Sequence, residues 1–292
     1  MSSYEIVPYD ASHREDYVYL LGEAWGNRGL TGDEFDWWFS GNPEGSITRV
    51  ALIDGNVVGA SSHMLARMVV GGEERVCSFA CHAVTSPAAS GRGIFTELQR
   101  TLDAAAQNQG MEVVLGFGNE VTNPMFFGRL GWSNIGYYRI WARPVLRRGS
   151  VDAAGLDVEG DAAAAWPNHI IRDERYLRWR FDASPRPYVT VRSGAGYAIV
   201  WPAKPFGSRT IAVLSDFVAP PGEVAGLLRR AVRAAGSNAI FALPSHGQRG
   251  AFAAAGFVPT HLKVNLIGRG LNGPLGLDPA AWRFTLGDAD YY

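Results

Sequence analysis

The sequence predicts an α/β (α+β) protein with a mixed, mostly antiparallel sheet flanked by helices, arranged as two domains of similar plan. Three observations lead to this prediction: hairpin signals in the first 84 residues, a strand–helix–strand pattern after them, and a weaker copy of that pattern in the second half. The 292 residues are enough for two ordinary domains, and the composition, 47% hydrophobic and 19% charged, is that of a globular chain.

The N-terminal region is expected to form antiparallel strands. A first strand over residues 4–9 and a helix over 12–25, capped by Ser12, precede two hairpins. The hairpin turns are Asp54-Gly55-Asn56 and Gly71-Gly72, since such residues accept the positive φ angles of tight turns.

After Val84 the pattern changes to strand, helix, strand. The stretch SGRGIFTEL, residues 90–98, leads into a helix over 94–108, and a buried type of strand follows over 112–117. Glycines at such a junction allow another molecule to approach the main chain closely, and helix N-termini favour phosphate groups. The sequence therefore predicts an anion-binding loop here, with an ordinary tight turn as the alternative.

The second half repeats this order with one omission. Phe217, a helix over 222–235, a strand over 239–243 and Gly256-Phe257 echo the first half. The residues before the second helix are Ala-Pro-Pro-Gly, and proline has no N–H to offer an anion. We therefore expect a first domain over 1–146, a linker over 147–168, and a second domain over 169–292 that lacks the anion-binding loop.

Charge and hydropathy also limit which binding partners and which cellular compartment are expected. A formal net charge of −1 argues against nucleic acid or an anionic membrane as the main ligand. No apolar run approaches the ~20 residues that span a bilayer, and the first ten residues do not resemble a leader, so a cytoplasmic protein is expected. Cys77 and Cys81 are expected to be reduced thiols, and no metal site is expected.

The stretch VTSPAASGRGIFTEL, then a strand ending in GFGNE, then FFGRLGW, resembles the acetyl-CoA-binding core of the GNAT (GCN-related N-acetyltransferase) superfamily. It is similar in particular to two-domain bacterial members with a GRGIF-type loop. WWFSGNPEG, RDERYLRWRF and WRFTLGDAD support that branch, and the resemblance covers essentially the whole chain. It implies a GNAT-type sheet and a second, degenerate GNAT-like domain.

The resemblance also implies that acetyl-CoA, or another acyl-CoA, is the co-substrate. Its pyrophosphate would lie on the loop amides, its pantetheine arm between the diverging strands 78–84 and 113–117, and an amide at Val84 or Thr85 would polarise the thioester carbonyl. Arg92 is expected to contact a phosphate or to be a solvated loop residue, and Asn119 to hold an amide or to complete the turn after its strand. The candidate cofactor-binding residues are Val84, Thr85, Ser90, Gly91, Arg92, Gly93, Ile94, Phe95 and Asn119.

Acyl transfer to an amine needs a base, because the amine is protonated at neutral pH. His82 and Glu120 are the candidates. Alternation along the strand is expected to place His82 on the face of Ser78, and its alternative role is that of a hydrogen-bonded structural histidine. The alternative for Glu120 is a carboxylate at a helix start.

The chain departs from the family's pattern at three positions. Ser90 replaces the usual Arg or Gln, Phe95 replaces a small residue, and Phe127 lies where many members have the tyrosine that protonates the leaving thiolate. The function expected from the resemblance is N-acyl transfer to a small-molecule amine, by a monomer or a homodimer. A GNAT-fold protein that binds acyl-CoA without transfer is the alternative. A third class, aminoacyl transfer from tRNA, would require a basic groove.

Near the C-terminus, Asp288 and Asp290 are expected in a solvated turn, with a position at the acceptor cleft as the alternative.

Overall fold

The computed structural model describes residues 3–26, 29–146, 155, 160–194, 196–206 and 208–289. The chain divides into two compact units. Unit 1 comprises residues 1–68, 74–135 and 266–277, and unit 2 comprises residues 69–73, 136–265 and 278–292. Both units are thus discontinuous in sequence. The ranges expected from the sequence, 1–146, 147–168 and 169–292, stay a prediction about which parts fold independently, and most of the expected linker lies outside the described residues.

Unit 1 is a mixed α/β structure whose sheet is mostly antiparallel. Its elements are β1 (Glu5–Pro8), α1 (Arg14–Trp25), α2 (Gly32–Phe35), β2 (Ser46–Ile53), β3 (Asn56–Val70), β4 (Glu73–Thr85), α3 (Ile94–Asn108), β5 (Val113–Gly118) and α4 (Asn123–Arg129). The last two residues of β3 and the first of β4 belong to unit 2. The strand order is β1-β2-β3-β4-β5, with β1–β2 and β2–β3 antiparallel and β4–β5 parallel. α2 continues as a π-helix over Asp36–Ser40.

The two predicted hairpin turns are confirmed. Asp54 and Gly55 have φ of 50° and 80°, and Gly71 and Gly72 have φ of 63° and 86°. Positive φ at both central residues defines the type I′ turn, whose twist matches that of the flanking strands.

The predicted helix over 94–108 is α3, which is held by an apolar stripe. Ile94, Leu98, Leu102 and Ala106, spaced four apart, are all buried. The first two pack in one cluster of core residues and the last two in another, so the whole length of the helix lies on the sheet.

The expected cap at Ser12 is wrong by two residues. The Asp10 side chain accepts a hydrogen bond from the Ser12 N–H at 2.8 Å and caps a 3₁₀ turn over Ala11–His13. α1 begins only after this turn, at Arg14. Asp10 has the extended backbone of an N-cap residue, with φ −133°, so its carboxylate takes the position expected for the serine hydroxyl.

Unit 2 contains the remaining elements, except that the first three residues of β6 and the last five of β12 belong to unit 1. These elements are β6 (Ser133–Pro144), β7 (Asn168–Ile170), α5 (Glu174–Leu177), β8 (Val189–Ser193), β9 (Gly196–Phe206), β10 (Arg209–Val218), α6 (Val224–Arg233), β11 (Ala239–Ala242), α7 (Arg249–Ala254), β12 (Val258–Gly270), β13 (Trp282–Arg283) and α8 (Leu286–Ala289). Their order includes β6-β11-β10-β9-β8, and β10 and β11 are parallel. The pattern β10–α6–β11 in unit 2 therefore matches β4–α3–β5 in unit 1, as the echo in the sequence predicts.

A buried ion network holds the end of unit 2. Arg172 Nη2 lies 2.5 Å from Asp288 Oδ2, Arg172 Nε lies 3.3 Å from Asp216 Oδ2, and Arg283 Nη2 lies 3.4 Å from Asp216 Oδ1. The side chains of all four residues are at most 1% exposed. The solvated turn expected for Asp288 is therefore wrong, because its carboxylate is buried in an ion pair with Arg172, which lies two residues after β7. Asp290 lies outside the described residues.

Candidate functional site

The glycine loop between β4 and α3 leaves main-chain groups open to a ligand. Gly91 and Gly93 have φ of +77° and +81°, which side-chain-bearing residues rarely adopt. A Cβ on either glycine would meet nothing within 4 Å. Gly93 is the N-cap of α3, so the N-cap residue has no side chain that could cap the N–H groups of the first helical turn.

The loop is held on its β4 side by backbone hydrogen bonds. The Ser86 N–H donates to the Val58 carbonyl at 2.8 Å, and the Ser90 N–H donates to the Pro87 carbonyl at 3.2 Å. Ser90 and Arg92 are exposed, whereas Ile94 is buried under the loop. The arrangement is an anchored strand-to-helix turn with an open, positively polarised face.

The register between β4 and β5 covers three residues of each strand. The paired residues are Ser78 with Val114, Phe79 with Leu115 and Ala80 with Gly116. β4 nevertheless continues to Thr85 and β5 to Gly118. The register thus ends at Ala80 and Gly116, before the end of either strand, and the separation expected between strands 78–84 and 113–117 stays a prediction.

His82 lies in β4 beyond the residues that are in register with β5, in an unusual backbone conformation. Its φ is +49°, in the left-handed region, within a strand. The placement of His82 on the face of Ser78 stays a prediction, and the positive φ is a local irregularity of the strand at His82 itself. The imidazole ring lies among aromatic rings, with centroids 6.1 Å from Trp25, 5.5 Å from Trp38 and 5.7 Å from Phe39.

Two hydroxyl groups on β4 are buried and have no hydrogen-bond partner among the described residues. They are Thr85 Oγ1, at the end of the strand, and Ser78 Oγ, at the start of the paired part. Val84, between the loop and His82, is 6% exposed. An unpartnered buried hydroxyl is costly, so Thr85 Oγ1 is suited to a polar ligand atom at the end of β4.

Asn119 and Glu120 follow β5 at the same edge of the sheet, because β4 and β5 are parallel neighbours. Asn119 Oδ1 accepts hydrogen bonds from the N–H of Val121 at 3.0 Å and of Thr122 at 2.9 Å. This oxygen therefore stabilises the turn before α4. The Glu120 side chain is exposed on that turn.

The position of the family's tyrosine lies in α4. Phe127 is 37% exposed, whereas its neighbour Phe126 is buried and packs 4.5 Å from Trp132 and 5.6 Å from Phe95. The Phe95 side chain is thus used for packing, which leaves its amide as the group that a ligand can reach. Phe127 brings no hydroxyl to the site.

Behind the loop lies a buried polar network that the sequence analysis missed. Gln99 Nε2 donates to Ser61 Oγ at 2.6 Å, and His63 Nε2 lies 3.8 Å from Asp103 Oδ1. Asp103 Oδ2 also accepts from Trp132 Nε1 at 3.0 Å. Burial lowers the pKa of His63 to about 4 and raises the pKa of Asp103. Gln99 and Asp103, four residues apart on the apolar face of α3, were the sequence signal from which this network could have been predicted.

Residues 5–135 match a family model described as the acetyltransferase (GNAT) domain. This part of the chain is a GNAT domain. The glycine loop, β4, β5 and α4 all lie within it. β12 lies outside the matched residues, as does unit 2 apart from residues 69–73. Comparison with curated proteins gives no match.

Solved structures share the fold over almost the whole chain. A GCN5-related N-acetyltransferase from Kribbella flavida has a TM-score of 0.65 at 15% identity, covering 93% of this chain and 72% of its own. Eis1 from Mycobacterium abscessus has a TM-score of 0.61 at 16% identity, with 92% and 74% covered. The N-myristoyltransferase of Saccharomyces cerevisiae, solved with bound myristoyl-CoA, has 0.63 at 12% identity, with 92% and 83% covered. At such identities the likeness shows the fold alone.

Two searches of the described residues bear on other kinds of site. No three His, Cys, Asp or Glu side chains there are grouped so that they would hold a metal ion. Every helix in that part of the chain is too short or too polar to cross a membrane.

Proposed function

We propose that this protein is an acyl-CoA-dependent N-acyltransferase that acts on a primary amine of a small metabolite, with acetyl-CoA as the donor. The observation that carries the proposal is the pair of left-handed glycines, Gly91 and Gly93, opening onto the uncovered N-terminus of α3 in a GNAT domain. Bound acyl-CoA would supply an activated acyl group as a thioester.

The described residues fit such a ligand. The amides of residues 91–95 have room for phosphate oxygens, because neither glycine presents a Cβ and α3 contributes a favourable dipole. Ser90 directly precedes these residues, and Arg92 is one of them. At the end of β4, the amide of Val84 or Thr85 would donate to the thioester carbonyl, and Thr85 Oγ1 would gain the partner it lacks.

Proton transfer is assigned to the two candidates at the edge of the sheet. His82 or Glu120 would accept the proton of the substrate ammonium, directly or through water, so that the free amine attacks the thioester. Asn119 would position the Glu120 turn. A proton donor for the leaving thiolate is dispensable, because a thiol with a pKa near ~8.5 already leaves readily. The absence of a hydroxyl at Phe127 is therefore compatible with turnover.

The second candidate function is a GNAT-fold protein that binds acyl-CoA without transferring the acyl group. Phe127 and Ser90, the departures from the family's pattern, favour it. Nucleic acid, a membrane and a metal ion have no part in either function as proposed, and a homodimer is compatible with both.

Ligand-linked stabilisation and thiol release together test the proposal. Coenzyme A at about 1,000 times its dissociation constant should stabilise the folded protein by about 4 kcal/mol, measured as a thermal shift. With acetyl-CoA and a panel of small amines, free thiol should then appear in proportion to acylated amine. Binding without thiol release for any amine would support the second candidate. No stabilisation by coenzyme A, acetyl-CoA or longer acyl-CoA would overturn both.

A further inference from the structure

The left-handed residue in β4 has no explanation in local turn chemistry. Among the described residues, Asp54 and His82 are the non-glycine residues with positive φ. Asp54 lies in a hairpin turn that demands this torsion, whereas His82 lies inside a strand. A strained torsion within a strand persists only where neighbouring groups hold it, and such bulges occur next to functional sites.

One of the groups that holds His82 is the hydroxyl of a buried tyrosine from α1. Tyr17 Oη donates to the His82 carbonyl at 2.7 Å, across 65 positions of sequence. The tyrosine is 0% exposed, and its ring packs 5.2 Å from Phe35 and 6.1 Å from Phe39. Phe39 in turn packs on the His82 ring. Both the carbonyl and the ring of His82 are therefore fixed by the same group of aromatic residues.

The Tyr17 hydroxyl is itself held in place. It lies 3.1 Å from Ser62 Oγ, which lies 2.8 Å from Thr48 Oγ1. Burial raises the pKa of Tyr17, so the hydroxyl keeps its proton at every working pH and remains a donor. This chain of hydroxyls on β2 and β3 sets the direction in which Tyr17 points.

Fixing the His82 carbonyl also fixes the peptide that follows it. The peptide unit is planar and trans, so its C=O and N–H point in opposite directions. With the carbonyl bound toward α1, the N–H of Ala83 must point away from Tyr17. The register with β5 ends at Ala80, and Val84 and Thr85 come directly after this peptide. The Tyr17 bond therefore sets the direction in which the end of β4 leaves β5.

We propose that Tyr17 is a positioning residue for acyl transfer, whose hydroxyl holds the His82 bulge and thereby orients the backbone of Val84 and Thr85 toward the thioester carbonyl. The inference rests on the proposed acyltransferase function. It assigns Tyr17 no contact with the substrate. It also predicts that loss of the hydroxyl affects the reacting end of acyl-CoA and spares the end that the glycine loop holds.

The test compares Tyr17→Phe with Tyr19→Phe, the same substitution two residues along α1 at a side chain that is 68% exposed. Tyr17→Phe should lower kcat about 10- to 100-fold, because small errors in the placement of reacting groups are costly. The dissociation constant of coenzyme A should not change, and amide hydrogen exchange of residues 82–85 should become faster. Tyr19→Phe should alter none of the three quantities.

Ser62→Ala separates positioning from stability, since it removes the other partner of the Tyr17 hydroxyl but leaves the bond to His82. It should lower the melting temperature as Tyr17→Phe does, but with a smaller loss of kcat than that of Tyr17→Phe, because the bond to the His82 carbonyl remains. If Tyr17→Phe keeps the kcat of an active wild type, the inference is overturned, whatever happens to its melting temperature. If the wild type itself neither binds coenzyme A nor releases thiol, the proposed function fails first, and the inference falls with it.

Discussion

Gly93 and Gly110, at the two ends of α3, form a natural pair for testing the anion loop. Both have φ of +81°, and at both a Cβ would meet nothing within 4 Å. Alanine should therefore strain the two positions equally, by about 1–2 kcal/mol each. Only at Gly93 would the new methyl group occupy the space over the N-terminus of α3. We expect Gly93→Ala to weaken coenzyme A binding at least tenfold by calorimetry and Gly110→Ala to leave it unchanged.

The melting temperatures of these two variants provide the control. They should fall by similar amounts, because the backbone penalty is the same. Equal dissociation constants for coenzyme A in both variants would show that the loop does not hold the phosphates.

His63 makes the stability of the protein depend on pH. Burial lowers its pKa from 6.5 to about 4 in the folded protein. The unfolded chain therefore binds the proton more readily, and the stabilising effect of neutral His63 is complete above pH 6.5 and lost as the pH falls toward 4. Over that window the loss should amount to about 3 kcal/mol.

Urea unfolding at pH 7, 6, 5 and 4 measures this loss when His63→Gln is the reference. Asp103 is present in both proteins, so the effect of its raised pKa, which favours the folded state at low pH, largely cancels. The wild type should lose about 3 kcal/mol more than the variant between pH 7 and pH 4. Parallel pH profiles would contradict the burial of a neutral imidazole.

At the scale of elements, the folding of α8 should depend on the buried ion network around Arg172. Asp288 accepts from Arg172 and from the Thr285 N–H at 2.8 Å, so its carboxylate joins the end of the chain to the interior of unit 2. Asp288→Ala would leave part of the buried guanidinium charge uncompensated and should cost about 3–5 kcal/mol of unfolding free energy. Glu174→Ala, in a pair whose side chains are 63% and 70% exposed, is the control and should cost at most about 0.5 kcal/mol. Similar losses for both would refute the network's role.

The helix and the hairpins that were predicted correctly are those that residues close together in the sequence determine. α3 was predicted from Ile94 to Asn108 because its apolar residues recur every four positions, and both hairpins followed from their turn residues. β12, by contrast, was missed. Its apolar residues Leu262, Val264 and Leu266 alternate with Lys263 and Asn265, a period of two that indicates a strand and was the available signal.

The candidate site also has one part that the sequence predicted and one part that it did not. The glycine loop could be found from sequence, because its function follows from the torsions of Gly91 and Gly93 and from the helix after them. The bulge at His82 could not, because it depends on a hydroxyl that approaches from α1. The ion network around Arg172 was equally hidden, since its members lie 44 to 116 positions apart.

At the scale of the whole molecule, the discontinuity of unit 1 decides whether residues 1–146 fold alone. Unit 1 includes residues 266–277, which enter it from the far end of the sequence. Ile267 is 1% exposed and packs with Val114, Phe126 and Trp132. In the same segment, Arg269 pairs with Asp103 at 3.2 Å.

A chain ending at residue 146 would therefore expose the apolar surface that Ile267 covers and leave Asp103 without its arginine. We expect residues 1–146 alone to be unfolded or aggregated, although they contain the complete sequence of the glycine loop. Circular dichroism and amide NMR measure this. In the full chain, Ile267→Ala should cost about 2–4 kcal/mol of unfolding free energy, because it opens a cavity against Trp132. A well-dispersed spectrum and coenzyme A binding by residues 1–146 would instead support the domain boundary expected from the sequence. Unit 1 would then tolerate the loss of β12, and the fold would be two independent domains.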